Sequence, residues 1–509
     1  MLAKADNHWT VEEAGHLLNR AGFGGSPGEV RRLHRLGRRG AVDWLLEPGE
    51  RVDAFPVPKW AEQEAMTLAV KEIMEERQQL RMDERGLSGK AAEKAEEKRR
   101  AFQRERQQEQ RKQAAEAQGW WFRRILLTRA PLREKMTLFW HDHFATSIRK
   151  VRVPGLMIRQ NQLFREQALG DFRELTGEVM VDPAMMIYLD TPGSRKGKPN
   201  ENFAREVMEL FTLGEGHYSE EDIRQAARAF TGYRLNRLTG EVFHAKRQWD
   251  EGTKTVFGKS GNFTGEDVVR LIFEKPRAAR FMAGKIWAFF ADDNPAESTL
   301  DALAKTLGGS GYQMKPMLRE MFLSEDFYSQ RVMRGQIKCP VQFLIQLLKE
   351  LEVERPPVGF PLLGEQQLGQ VLFMPPNVAG WDWGQAWINT NTLLTRYNLA
   401  GFITKGTDDG LKPGKGQLGK GTMTGLVKRN MAKNWQGPDY GRIAPERLRG
   451  NPVALVDSLV FRFFQGPVAD KARKSFIEYA KSKQDAEFTD KEVGELCHLM
   501  MSTPYYQLC

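Results

Sequence analysis

NENFAREVMELFTLGEGHYSEEDIRQAARAFTGY, residues 200–233, predicts two amphipathic helices joined by a tight glycine turn. On the first, Phe203, Val207, Leu210 and Phe211 recur at helical spacing and make an apolar stripe. Asn202, Glu206 and Glu209 fall on another face, one turn apart, with Arg205 beside them. Gly214 supplies the helix stop, and Ser219 with Asp222 three residues later has the form of a capping box. The second helix places Ile223, Ala226, Ala227 and Phe230 inward and turns Arg224 and Arg228 elsewhere.

The same periodicity extends through residues 120–147, 156–170, 265–291, 298–329 and 338–352. Strand-like alternation is scarce, and residues 241–257 are the best candidate for a small hairpin. The expected fold is therefore mainly α: a large multi-helix globular body with at most a small β-hairpin. Residues 60–118 differ in kind, reading as two long charged helices split at Arg85-Gly86-Leu87-Ser88-Gly89. Met66, Val70, Ile73 and Leu80 give the first of these a thin apolar seam, which predicts an inserted, projecting helical hairpin. The expected organisation is a helical main body at 1–400 carrying that insert, a basic Gly/Lys-rich linker at 401–450, and C-terminal helices at 451–509 packed on the body.

With 509 residues, 41% hydrophobic and 28% charged, the chain has the composition of a globular protein able to bury a large core. No apolar run reaches the roughly 18 residues that a membrane span requires. The first residues lack a signal-peptide core and enter a helix at Thr10–Glu13, which predicts a cytoplasmic protein unless the start is trimmed or the chain is exported with a partner. Cys339, Cys497 and Cys509 match no zinc spacing, and their low density fits a reducing compartment. Of the net charge of +10, residues 401–450 supply +6, with ten Lys or Arg against four Asp or Glu. A concentrated basic loop explains that better than a nucleic-acid groove. Residues 413–422 match a phosphate-loop pattern, but no buried strand precedes them, so low complexity accounts for the match.

Three clusters carry candidate chemistry. In Trp140-His141-Asp142-His143-Phe144, imidazoles and a carboxylate suit a divalent metal. Yet helical residues two apart point about 200° away from each other, so His141 and His143 share an ion only where the helix ends. Glu206, beside an apolar stripe, is the preferred acid; with His141 and His143 it makes a candidate metal set, against a simpler reading as an ion pair with Arg205 or Arg228. The segment 376–398 packs Trp381, Trp383 and Trp387 with Asn377, Asn389, Asn391 and Asn398, a mixture of flat rings and amides that suits a sugar or other polar organic ligand. The competing reading is a buried loop whose backbone is satisfied by asparagine side chains.

Taken together, HLLNRAGFG (16–24), FWHDHFATS (139–147), the 200–233 stretch, GTKTVFG (252–258), GKIWAFF (284–290), IKCPVQFL (337–344), PPNVAGWDWGQAWINTNTLLTRYN (375–398) and the MMSTPYYQ ending make a specific combination. The chain resembles the bacterial family catalogued as domain of unknown function 1800. The resemblance implies a mostly helical protein without an established activity, often encoded beside a sulfatase-like protein and often exported. Similar sequences tend to carry His-Asp where this one has Trp249-Asp250, which weakens a metal site, and His217 stands where the family more often has Asn.

These readings predict a shared polar pocket formed by His141, His143, Glu206, Arg228, Asn377, Trp381, Asn389 and Arg396, with Asn202 and Trp387 as further ligand contacts. The first expectation is a binding or accessory protein that works with a sulfatase-like partner. The second is a metal-assisted hydrolase using His141 and Glu206 as ligand or general base. The third is a structural scaffold.

Overall fold

The computed structural model describes residues 1–6, 8–47, 55–236, 239–405, 435, 437–483 and 488–509. The phosphate-loop match and nearly all of the basic stretch between Gly406 and Asn434 lie outside the described residues. Within them the chain is mainly α, with two small two-stranded antiparallel sheets. The single hairpin expected at 241–257 is not formed. Val242–His244 (β2) pairs instead with Tyr233–Leu235 (β1), and Lys254–Val256 (β3) pairs with Lys259–Gly261 (β4). Each strand takes its nearest extended neighbour, and a 3₁₀ turn at Lys246–Gln248 separates the pairs.

Local signals place most helix starts. Thr10 with Glu13, Ser26 with Glu29 and Ser219 with Asp222 each form a reciprocal capping box, as their spacing predicts. The 200–233 stretch departs from expectation in one respect. Glu201–Glu206 is α-helical, but Val207–Leu213 widens into a π-helix before Gly214 ends it at a φ of 81°. The wider turn leaves Leu210 half-buried while Phe203, Val207 and Phe211 stay in the core.

The charged hairpin exists, but its second arm is longer than its composition indicates. Gln63–Glu84 returns through Lys90–Leu127, a single 38-residue helix that runs on into the core at Trp121, Phe122 and Ile125. Trp60 Nε1 donates to Glu116 at 2.9 Å, and Arg99 lies 3.3 Å from Glu84, which fixes the antiparallel register.

Two apolar clusters hold the molecule together. One gathers residues between Ala14 and Leu46 with those from Leu132 to Val332. The other joins Trp121 and Phe122 to Val341–Ile403 and to the C-terminal helices. The Pro131–His143 helix stands between them, giving Phe139 and Trp140 to the first and Leu138 to the second. Every residue of this helix except Arg133 is buried, and that positions its polar side chains far from bulk water.

Candidate functional site

The central helix carries Glu134, Lys135, His141, Asp142 and His143 into the interior, where each polar group needs a partner. Glu134 accepts from Arg124 Nε at 2.8 Å, Arg165 Nε at 2.5 Å and Trp121 Nε1 at 3.3 Å. Burial works to raise its carboxyl, but Arg165 and Arg124 outweigh it and hold the group below its usual range. Lys135 Nζ donates to Gln342 Oε1 at 2.5 Å and lies over the Phe23 ring.

Successive residues of His141-Asp142-His143 point to three different places. His141 is fully buried, and its imidazole is walled by Trp121, Phe164, Phe373 and Trp381 at centroid distances of 5.2, 6.2, 5.5 and 5.8 Å. Neither of its ring nitrogens has a hydrogen-bond partner among the described residues. Burial alone lowers its pKa to about 3, so the ring is neutral. His143 Nε2 lies 2.9 Å from the Phe211 carbonyl in the π-helix. A carbonyl only accepts, so the proton of His143 resides on Nε2. Asp142 turns to the 377–380 turn, where Oδ1 accepts the Trp381 N–H at 2.7 Å. Burial raises that carboxyl to about 7, opposed by the Trp381 hydrogen bond and by Lys285.

His141→Phe is expected to raise stability at neutral pH by about 1–2 kcal/mol, because two buried, unpaired nitrogens leave the core. It should also flatten the acid side of the stability profile. The unfolded chain protonates this histidine below its ordinary value of 6.5, whereas the folded chain resists until about 3. The parent therefore loses stability as pH falls through that window, by about 1.4 kcal/mol per pH unit for this group. Urea midpoints of both proteins at neutral and mildly acidic pH check it; a variant that tracks the parent slope would contradict a neutral His141.

The structure does not assemble the expected metal set. Glu206 sits half-buried on the π-helix side, with no hydrogen bond or ion pair to another described residue. Burial raises its carboxyl, Glu209 adds to the rise, and Arg205 opposes it. Its field raises the Tyr188 hydroxyl, whereas the His141 shift comes from burial. Among the described residues no three His, Cys, Asp or Glu side chains converge as a metal site requires. Expected pairing of Glu206 with Arg205 or Arg228 is also not found. Arg205 forks onto Glu220 at 2.9 and 2.8 Å, and Glu209 accepts from the Tyr218 hydroxyl.

The expected ligand contacts are dispersed as well. Arg228 grips Asp250 through Nε at 2.8 Å and Nη2 at 3.1 Å, and its Nη1 donates to the Thr253 carbonyl at 3.0 Å. Arg396 is 1% exposed and clamps Lys338 O at 2.8 Å and Gln507 Oε1 at 3.2 Å, with burial lowering its pKa to about 10. Trp381 and Trp387 belong to the second core. Asn377 accepts the Ala379 N–H at 2.8 Å, Asn389 caps the Thr390–Lys405 helix through Thr392, and Asn202 is exposed. Burial, not residue type, separates Arg396, Trp381 and Trp387 from the side chains that do face solvent: Trp383 at 40%, Leu394 at 57% and Tyr397 at 48%. Asn389 and Asn391 are exposed on the same segment. Trp383 is one of three tryptophans in the aromatic segment with nothing to single it out, Tyr397 has no signal beyond its neighbours, and Asp142 figures only as the carboxylate of the His141–His143 cluster.

The model of a family described as "Protein of unknown function (DUF1800)" matches residues 16–508, almost the whole chain. The chain belongs to this family. Searches of the curated proteins and of the solved structures found no match.

Proposed function

We propose that this member of the DUF1800 family is a binding protein that works with a sulfatase-like partner on polar ligands, carbohydrate among them. The observation that carries the reading is the exposure of mixed aromatic and amide side chains along residues 382–398. Trp383 and Tyr397 are 40% and 48% exposed, and Asn389 and Asn391 are exposed on the same segment. Ring faces flanked by amide donors and acceptors match the alternating apolar and hydroxyl faces of a sugar. The burial of both His141 nitrogens among aromatic rings, and the ion pair that occupies Arg228, support binding over acid–base chemistry at those positions.

Titration of the full chain with sulfated and unsulfated polysaccharides tests the reading. Saturable binding that weakens at least about tenfold in Trp383→Ala is expected, a loss of about 1.4 kcal/mol. Absence of binding to every polysaccharide, or binding untouched by that substitution, would overturn it.

A second reading, an enzyme with Glu206 as general acid, is favoured by one observation. This half-buried carboxylate has no described partner, and its environment favours the protonated form. Turnover of chromogenic ester or glycoside substrates by the parent and its loss in Glu206→Gln would favour that reading over the first.

A further inference from the structure

We propose that the cavity between the helical hairpin and the body binds a long-chain fatty acid, with the acyl chain inside and the carboxylate at the arginines of its lining. The first helix of the hairpin, Gln63–Glu84, has no fully buried residue. Its apolar seam of Met66, Val70 and Ile73 instead lines a cavity of about 640 Å³, closed on the body side by Pro154, Leu156 and Ile187. An apolar seam left half-buried at the wall of a cavity is an unfilled packing surface. The volume lies within the roughly 300–1,000 Å³ of small-molecule sites.

The hairpin is seated firmly enough to hold such a space open. Trp120 Nε1 donates to Pro56 O at 3.0 Å, and Gln63 Nε2 donates to Thr239 O at 2.6 Å. Gly155 lets Met66 approach, since a Cβ there would collide with the Met66 sulfur. Met66 and Met74 in the wall add flexible, polarisable side chains that adapt to an alkyl chain.

Charge selects the occupant. Arg77, Arg106 and Arg152 line the cavity, and none of their guanidinium groups pairs with another described residue. Among the described residues the one acid in the lining, Asp190, is held by Lys150 at 2.9 Å. Arg77 and Arg152 are exposed and Arg106 is half-buried. Guanidinium groups in a largely apolar lining are the complement of an anionic head on a single alkyl tail, and a guanidinium fork donates two hydrogen bonds to a carboxylate. This cavity is separate from the 382–398 face, so its test stands apart from the proposed function.

The experiment titrates the full chain with submicellar palmitate and with cetyl alcohol, read by calorimetry and by the fluorescence of Trp60 in the lining. One saturable palmitate site per chain is expected, with cetyl alcohol at least about tenfold weaker. Joint Arg77→Gln, Arg106→Gln and Arg152→Gln substitution should erase that preference. Val70→Trp, which fills the cavity from a half-exposed helix position, should abolish palmitate binding while circular dichroism stays unchanged. No saturable palmitate site, equal affinity for acid and alcohol, or palmitate binding that survives Val70→Trp would each overturn the proposal. Binding of an acidic amphipathic helical peptide in place of palmitate would overturn it in favour of a protein partner.

Discussion

Replacing Glu134 with glutamine is expected to lower the unfolding free energy by about 3–5 kcal/mol. The side chain is 1% exposed and takes Arg124 Nε at 2.8 Å together with Arg165 Nε and Nη2 at 2.5 and 3.1 Å. Glutamine keeps the shape but removes the charge and turns N–H groups toward guanidinium donors. Arg124 and Arg165 then lose the buried carboxylate they share. The loss should be felt widely, because Arg124 comes from the long Lys90–Leu127 helix and Arg165 from Pro154–Glu166. Replacing all three with apolar residues of similar volume is expected to recover most of the lost stability, since the buried charges then no longer need desolvating. The pH dependence has a definite sign. The folded Glu134 carboxyl is held below its ordinary 4.5, so its contribution is present above that value and disappears as pH falls through the folded pKa. Chemical denaturation of the single and triple variants measures this; a Glu134→Gln protein within about 1 kcal/mol of the parent would show that the pair is not desolvated.

Gly380→Ala is expected to cost about 2–4 kcal/mol, the sum of a left-handed backbone penalty and an overpacking term. Gly380 holds a φ of 90°, and a Cβ there would fall onto the Asp142 carboxylate and its backbone oxygen. Relief by movement is blocked, because Asp142 Oδ1 holds the Trp381 N–H and Trp381 is a wall of the His141 enclosure. Combining Gly380→Ala with Asp142→Ala should therefore be strongly non-additive, with a coupling of about 1 kcal/mol or more in thermal unfolding. Additive losses would mean that the backbone penalty acts alone.

Much of the fold is legible in the residues themselves. The capping boxes at Thr10, Ser26 and Ser219, the stripe of Ile223, Ala226, Ala227 and Phe230, and the stop at Gly214 all form as their spacing predicts. Each depends on partners within about four residues, where helical geometry decides who meets whom. The candidate site was legible only in part. The divergence of His141 and His143 follows from helical geometry, and the structure bears it out. Their burial on both sides does not follow, because a helix placed between two cores hides faces that an amphipathic helix would leave wet. The π-helix at Val207–Leu213 and the unbroken passage of the hairpin arm into the core likewise have no local signature in this sequence.

The amino-acid sequence by itself determined the mainly helical class, the helix boundaries set by caps and glycines, and the family. These rest on short-range periodicity and on short motifs, each legible from neighbouring residues, that recur from residue 16 to the C-terminal segment. Only the tertiary structure decided which tryptophans are core and which are surface. Trp381 and Trp387 pack inside while Trp383, between them, faces solvent. It also decided that Arg228 belongs to Asp250, that Glu134 pairs with two arginines from other helices, and that His141 keeps both nitrogens unpaired among the described residues. Burial and charge pairing depend on what covers a residue from the far side, and those atoms come from segments distant along the chain.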